Sequence, residues 1–160
     1  MTLKTRLSER EFINSNFVVL YSKLSVKIVT GIILLFFLAS LLSVLFIPKV
    51  SFSQLLVPLA MLAAFPLTIF FAARKNYSDN KRISEYIEYQ FEKDNLHIKG
   101  ESFTTQLSWE KIHKVTQTKN WILIWHNNQI ANPIHKRDIT DSQISEIKQI
   151  LDEKKVRNNL

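Results

Sequence analysis

The 160-residue chain predicts a membrane α-helical hairpin followed by an α+β domain, an antiparallel β-sheet closed by a C-terminal helix. Three observations carry this prediction. Residues 28–47 and 55–73 are two apolar runs with no ionisable side chain. Beyond residue 82, apolar and polar residues alternate at period two, as in half-buried strands. Near the C-terminus a capping signal precedes a return to helical periodicity.

The first run is long enough to cross a bilayer, because twenty residues at about 1.5 Å each match the roughly 30 Å hydrocarbon core. A core helix of a soluble protein rarely stays uncharged on every face for so long. A signal peptide is excluded by the length of the run, its distance from Met1 and the second run behind it. The connector 48–54 is short, so the two spans are antiparallel neighbours. Pro66 lies inside the second span and is expected to kink it. Ala39 and Ser43 in the first span, and Ala60 and Ala64 in the second, are each four apart. That spacing of small residues lets helices approach closely in lipid, and these four are read as the packing stripes of the hairpin. Neither span holds an Asp, Glu, Lys, Arg or His, which points to an anchor rather than a proton or ion pathway. A homo-oligomer is compatible with the same residues.

The net charge of +7 sits largely beside the spans. Arg10, Lys23 and Lys27 precede the first; Arg74, Lys75, Lys81 and Arg82 follow the second; the connector has only Lys49. Basic residues are retained on the cytoplasmic side, which places both termini in the cytoplasm and makes this a multi-pass protein of the inner membrane. The basic balance is thereby accounted for without nucleic acid. The chain has no Cys, so disulfides, thiol nucleophiles and thiolate metal sites are impossible.

Residues 1–27 form a cytoplasmic amphipathic segment. Ser8 and Glu11 make a capping box, with Leu7 and Phe12 at the staple positions. The resulting helix is expected to lie on the inner leaflet or on the C-terminal domain, the alternative being a helix continuous with the first span. Residues 74–82 read as a linker.

The domain at 83–157 follows strand by strand. Ile87, Tyr89 and Phe91 alternate with Glu88, Gln90 and Glu92; Leu96 and Ile98 form a second strand; Phe103, Thr105, Leu107 and Trp109 mark a third. Glu110 to Ile112 makes a corner, and 113–118 is a weaker strand. Trp121, Leu123 and Trp125 occupy one face of the next strand and Ile122 and Ile124 the other, so it is buried on both sides. Asn127-Asn128 signals a hairpin through the tolerance of Asn for positive φ. Residues 129–134 return, with Pro133 favouring an edge. Thr140 and Gln143 begin the last helix, and Ile144, Ile147 and Leu151 are its apolar stripe. Six antiparallel strands closed by one helix resemble a pleckstrin-homology-like (PH-like) fold.

Two short elements carry a more specific resemblance. Trp109-Glu110-Lys111-Ile112-His113-Lys114-Val115 is similar to the W-x-x-I-x-x-V element of the YcxB-like C-terminal domain. Pro133-Ile134-His135-Lys136-Arg137-Asp138-Ile139 is similar to its I-P-K-R-x-F element, with His135 in place of Pro and Ile139 in place of Phe. The order of a short N-terminal segment, two spans and this domain is also shared. The resemblance implies a bacterial membrane protein and supplies no activity.

No catalytic constellation is visible in the motifs. His97, His113, His126 and His135 have no metal-ligand spacing, and the chain has no G-x-S-x-G and no phosphate-binding glycine loop. Neither enzymatic activity nor a cofactor is expected. The corner His135, Lys136, Arg137, together with Arg74, Lys75, Lys81 and Arg82, is the candidate contact with anionic head groups or a protein partner. The expected role is a membrane-tethered binding or regulatory module. The alternative is an immunity-type protein that protects against a membrane-acting toxin. The purified chain should need detergent to stay monodisperse. A single sharp size-exclusion peak in plain buffer would show the two apolar runs packed in a soluble core.

Overall fold

The computed structural model describes residues 1–48 and 50–160; Lys49, the one charge read in the connector, lies outside the described residues. The elements in chain order are β1 (Thr2–Thr5), α1 (Glu9–Tyr21), α2 (Leu24–Phe46), α3 (Leu56–Asp79), β2 (Ile87–Phe91), β3 (Asn95–Lys99), β4 (Thr104–Ser108), β5 (Lys114–Gln117), β6 (Trp121–Trp125), β7 (Ala131–His135) and α4 (Asp141–Glu153).

Both α2 and α3 are long and apolar enough to cross a membrane. They pack against each other, and α2 has no buried residue. From Ile28 onward, exposed Ile28, Ile32, Leu35, Leu42 and Leu45 make its outer surface apolar, which water does not cover without large cost. The side of α3 turned into the structure is the stripe Pro58, Leu62, Phe65, Ile69, Ala73 and Tyr77, spaced three or four apart. The small residues read as packing stripes differ in exposure. Ser43 is half-buried, but Ala39, Ala60 and Ala64 are exposed. Leu62, Phe65 and Ile69 occupy the inner side of α3. Residues 74–79, read as linker, continue α3, because no Gly or Pro interrupts a helix already formed.

The β domain has two antiparallel sheets, ordered β1-β2-β3-β4 and β5-β6-β7. Six strands fall where the alternation places them. The seventh, β1, was not anticipated: Thr2 to Thr5 pair with Gln90 to Ile87. The two membrane-length helices are thus inserted between the first and second strands of one sheet. The domain also runs past residue 157. After α4, Lys155 adopts a left-handed φ of 55°, and the chain returns along β5, with Val115 N–H donating to Arg157 O (2.9 Å) and Gln117 N–H to the Asn159 side chain (2.7 Å). This tail covers the edge that β5 would expose.

β6 is buried at all five positions. Ile122 and Ile124 join Tyr89, Leu96, Ile98, Trp109 and Ile134 in the main core, which α4 closes through Ile147 and Leu151. Trp121, Leu123 and Trp125 face the other way, onto Leu7, Phe12, Val18 and Val19 of the N-terminal segment. The β6–β7 hairpin forms as expected but by different means. No residue there has positive φ; the Asn127 side chain accepts from the N–H groups of Gln129 and Ile130 in a longer loop.

Leu3 is 3% exposed although it lies two residues from the N-terminus. Leu3→Ala should therefore cost about 2–5 kcal/mol, as for a core leucine, whereas Thr2→Ala should stay within about 0.5 kcal/mol. Thermal unfolding in detergent, followed by tryptophan fluorescence, checks this.

Candidate functional site: a clasped corner and an open cleft

The capping box at the start of α1 forms as the sequence indicates: Ser8 N–H donates to the Glu11 carboxylate (2.9 Å), and Glu11 N–H donates to Ser8 Oγ (3.4 Å). α1 then ends at Tyr21 and the chain turns before α2, so it is not continuous with the first span. Instead α1 lies between β6 and α3. Phe12 packs on Tyr77 (5.9 Å between centroids) and Tyr21 meets Phe65 edge-on (6.1 Å), so α1 and α3 run antiparallel. The Tyr77 hydroxyl donates to Leu7 O (3.1 Å).

The basic corner belongs to this seam. His135 ends β7, and its Nδ1 accepts from Arg137 N–H (3.1 Å), which starts a short 3-10 turn over Lys136–Asp138. Lys136 Nζ donates to Gln117 Oε1 (2.6 Å). Arg137 forms an ion pair with Glu11, with Nη2 donating to Glu11 Oε2 (3.0 Å) and to Arg6 O (3.3 Å). Asp138 accepts from Thr5 Oγ1 (2.6 Å). On the other side of α1, Arg74 pairs with Glu9 (3.2 Å). The corner read as a free head-group contact is therefore largely engaged within the molecule. Arg137 and Asp138 hold α1 and β1 to the corner, Lys136 is tied to β5, and Arg74 holds α3 to α1. The reason is the insertion of the hairpin, which brings Glu9 and Glu11 back to these bases. Lys75, Lys81 and Arg82 are exposed. Arg82 stacks over the Phe103 ring (5.8 Å).

Burial works against ionisation of Glu11, but hydrogen bonds from Ser8 and the charge of Arg137 outweigh it and hold the carboxyl below its ordinary value of 4.5. Glu11 and Thr5 were missed as site residues. The signal for Thr5 was the period-two run Leu3, Thr5, Leu7, too short to read as a strand without its partner, and Glu11 was legible only as a capping residue.

Opposite the end closed by α4, the two sheets part. A cleft of about 370 Å³ opens there, bounded by Thr5 to Leu7, by Arg82 and Ile83 after α3, by Tyr89, Ile98 and Phe103 of the first sheet, and by Ala131 to Pro133 of β7. Tyr89 is 2% exposed, and among the described residues no hydrogen bond reaches its hydroxyl. Burial pushes that hydroxyl well above the usual tyrosine range. Of the four histidines only His126 lines the cleft, and among the described residues no three His, Cys, Asp or Glu side chains converge as a metal site would require.

Comparison with known proteins bears on this domain. Residues 91–151 match the YcxB-like protein family. The YcxB-like region runs from the last residue of β2 into α4, and it includes both elements that suggested the resemblance. It leaves out β1, α1 and the hairpin that the domain is clasped to. No curated protein and no solved structure matches the chain.

The Arg137–Glu11 pair predicts a measurable coupling. Glu11 is largely shielded and Arg137 half-exposed, so a double-mutant cycle with Glu11→Gln and Arg137→Gln should give about 1 kcal/mol at pH 7. A carboxyl whose folded pKa lies below its unfolded one adds stability above about pH 4.5 that is lost as the pH falls through the folded value. Denaturation at pH 7 and at pH 3 should accordingly show a smaller coupling at the second than at the first.

Proposed function

We propose that this chain is a multi-pass inner-membrane protein whose cytoplasmic PH-like domain is a binding module coupled to its own anchor. The four-plus-three strand arrangement closed by a C-terminal helix supports the PH-like reading. The basic residues on both flanks of the spans support the cytoplasmic orientation of the termini. The reading involves no catalytic step.

One observation carries it: the hairpin is an insertion between β1 and β2, with α1 wedged between sheet and span. A domain hung on a flexible linker would bind without consequence for its anchor. Here the cleft is lined by Leu7 and Phe12 at one root of the hairpin and by Arg82 and Ile83 at the other. Whatever fills the cleft therefore touches both roots, and two packed elements with discrete arrangements are what coupling requires.

The experiment is capture from crosslinked membranes, comparing the intact chain with a Thr105→Trp variant. Thr105 lines the cleft and is exposed, so the larger ring blocks the opening without entering the core. Loss of a recovered lipid or protein on substitution, with unfolding temperature unchanged, is the expected result. Identical recoveries from both chains would sink the module reading.

A further inference from the structure

The cleft carries a more specific assignment, which rests on the membrane-anchored reading above. We propose that it is a site for an anionic phospholipid drawn from the leaflet that holds the hairpin, with acyl chain between the sheets and head group against Arg6 and Arg82.

The lining has the required chemistry. Its walls are apolar, including Leu7, Ile87, Ile98 and Phe103, and its volume falls in the range of about 300–1,000 Å³ usual for small-ligand sites. No carboxylate lines it. Arg6 and Arg82 both do, and among the described residues neither forms an ion pair, in contrast to Arg74 and Arg137. Arg6 is steadied by Nε donating to Ser84 O (2.8 Å) and by the Tyr86 ring (5.1 Å). Among the described residues its terminal nitrogens have no partner, and a guanidinium so placed suits a phosphate.

Depth selects a lipid as the occupant. The uncharged part of the second span ends at Ala73, and α3 continues to Asp79. Six further helical residues advance about 9 Å, a little more than the roughly 5–7.5 Å of one head-group layer. Arg82 and Ile83, a few residues on, form one lip of the cleft. The opening thus lies near head-group depth. A peptide added to the β7 edge is the competing occupant, but Pro133 interrupts the ladder donors there.

The test places the photocrosslinker p-benzoylphenylalanine in the full chain at Phe103, where an aromatic ring already lines the cleft and Thr105 is left as it is. The protein is reconstituted in vesicles of phosphatidylcholine mixed with phosphatidylglycerol, and parallel samples are illuminated in native membranes. The mass of the adduct is then read. The expected result is a lipid adduct in both settings, with phosphatidylglycerol enriched about tenfold over its share in the vesicles. That enrichment should vanish in Arg6→Gln/Arg82→Gln, whose unfolding temperature in detergent serves as the folding control. A lipid adduct without head-group preference, or a preference unmoved by the double substitution, overturns the proposal. An adduct of protein mass in native membranes overturns the lipid assignment while leaving the binding-module reading standing. Absence of any adduct removes the cleft as a site.

Discussion

The pairing of Thr2–Thr5 with Ile87–Gln90 ties both roots of the hairpin to one sheet. The segment between these strands is roughly 80 residues, and a flexible loop of that length costs about 4 kcal/mol to close. An antiparallel pair of long helices removes much of that cost, since it returns the chain to the side from which it left. The sheet and the hairpin therefore depend on each other. Without the hairpin, β1 has no short route to β2; without β1, one root of the hairpin is untethered.

The clasp of α1 follows from this arrangement. A helix that leaves β1 and must enter α2 passes over the outer face of β6, where Trp121, Leu123 and Trp125 stand. In a sheet domain with nothing on that face, three such side chains would make an exposed apolar patch. Covered by Leu7, Phe12, Val18 and Val19, they become a second core. The ion pairs Arg137–Glu11 and Arg74–Glu9 mark the two borders of the wedge. Their exposure makes them orienting contacts more than sources of stability.

Closure is uneven around the β domain, and that unevenness is where function enters. α4 seals one end of the space between the sheets, and the C-terminal tail covers the β5 edge. At the other end the β7 edge, the start of α1 and the exit of α3 meet around an opening. Arg6 and Arg82 stand at it, and among the described residues neither forms an ion pair. The contrast with Arg74 and Arg137, which are paired a short distance away, gives the opening its chemical character.

Local signals were legible because they depend on neighbours in sequence. The two uncharged runs, the capping boxes at Ser8 and Thr140, the alternation in six strands and the two-sided burial of β6 all follow from residues a few positions apart. The YcxB-like elements were legible for the same reason. Tertiary structure alone decided that Leu3 is core, that Lys136 and Arg137 take partners within the molecule, that Ala60 and Ala64 are exposed, and that a cleft opens beside Arg6 and Arg82. Each of these depends on β1 meeting β2 across the inserted hairpin. Pairing at such a separation leaves no periodic trace in either segment, because a four-residue strand reads as a strand only beside its partner.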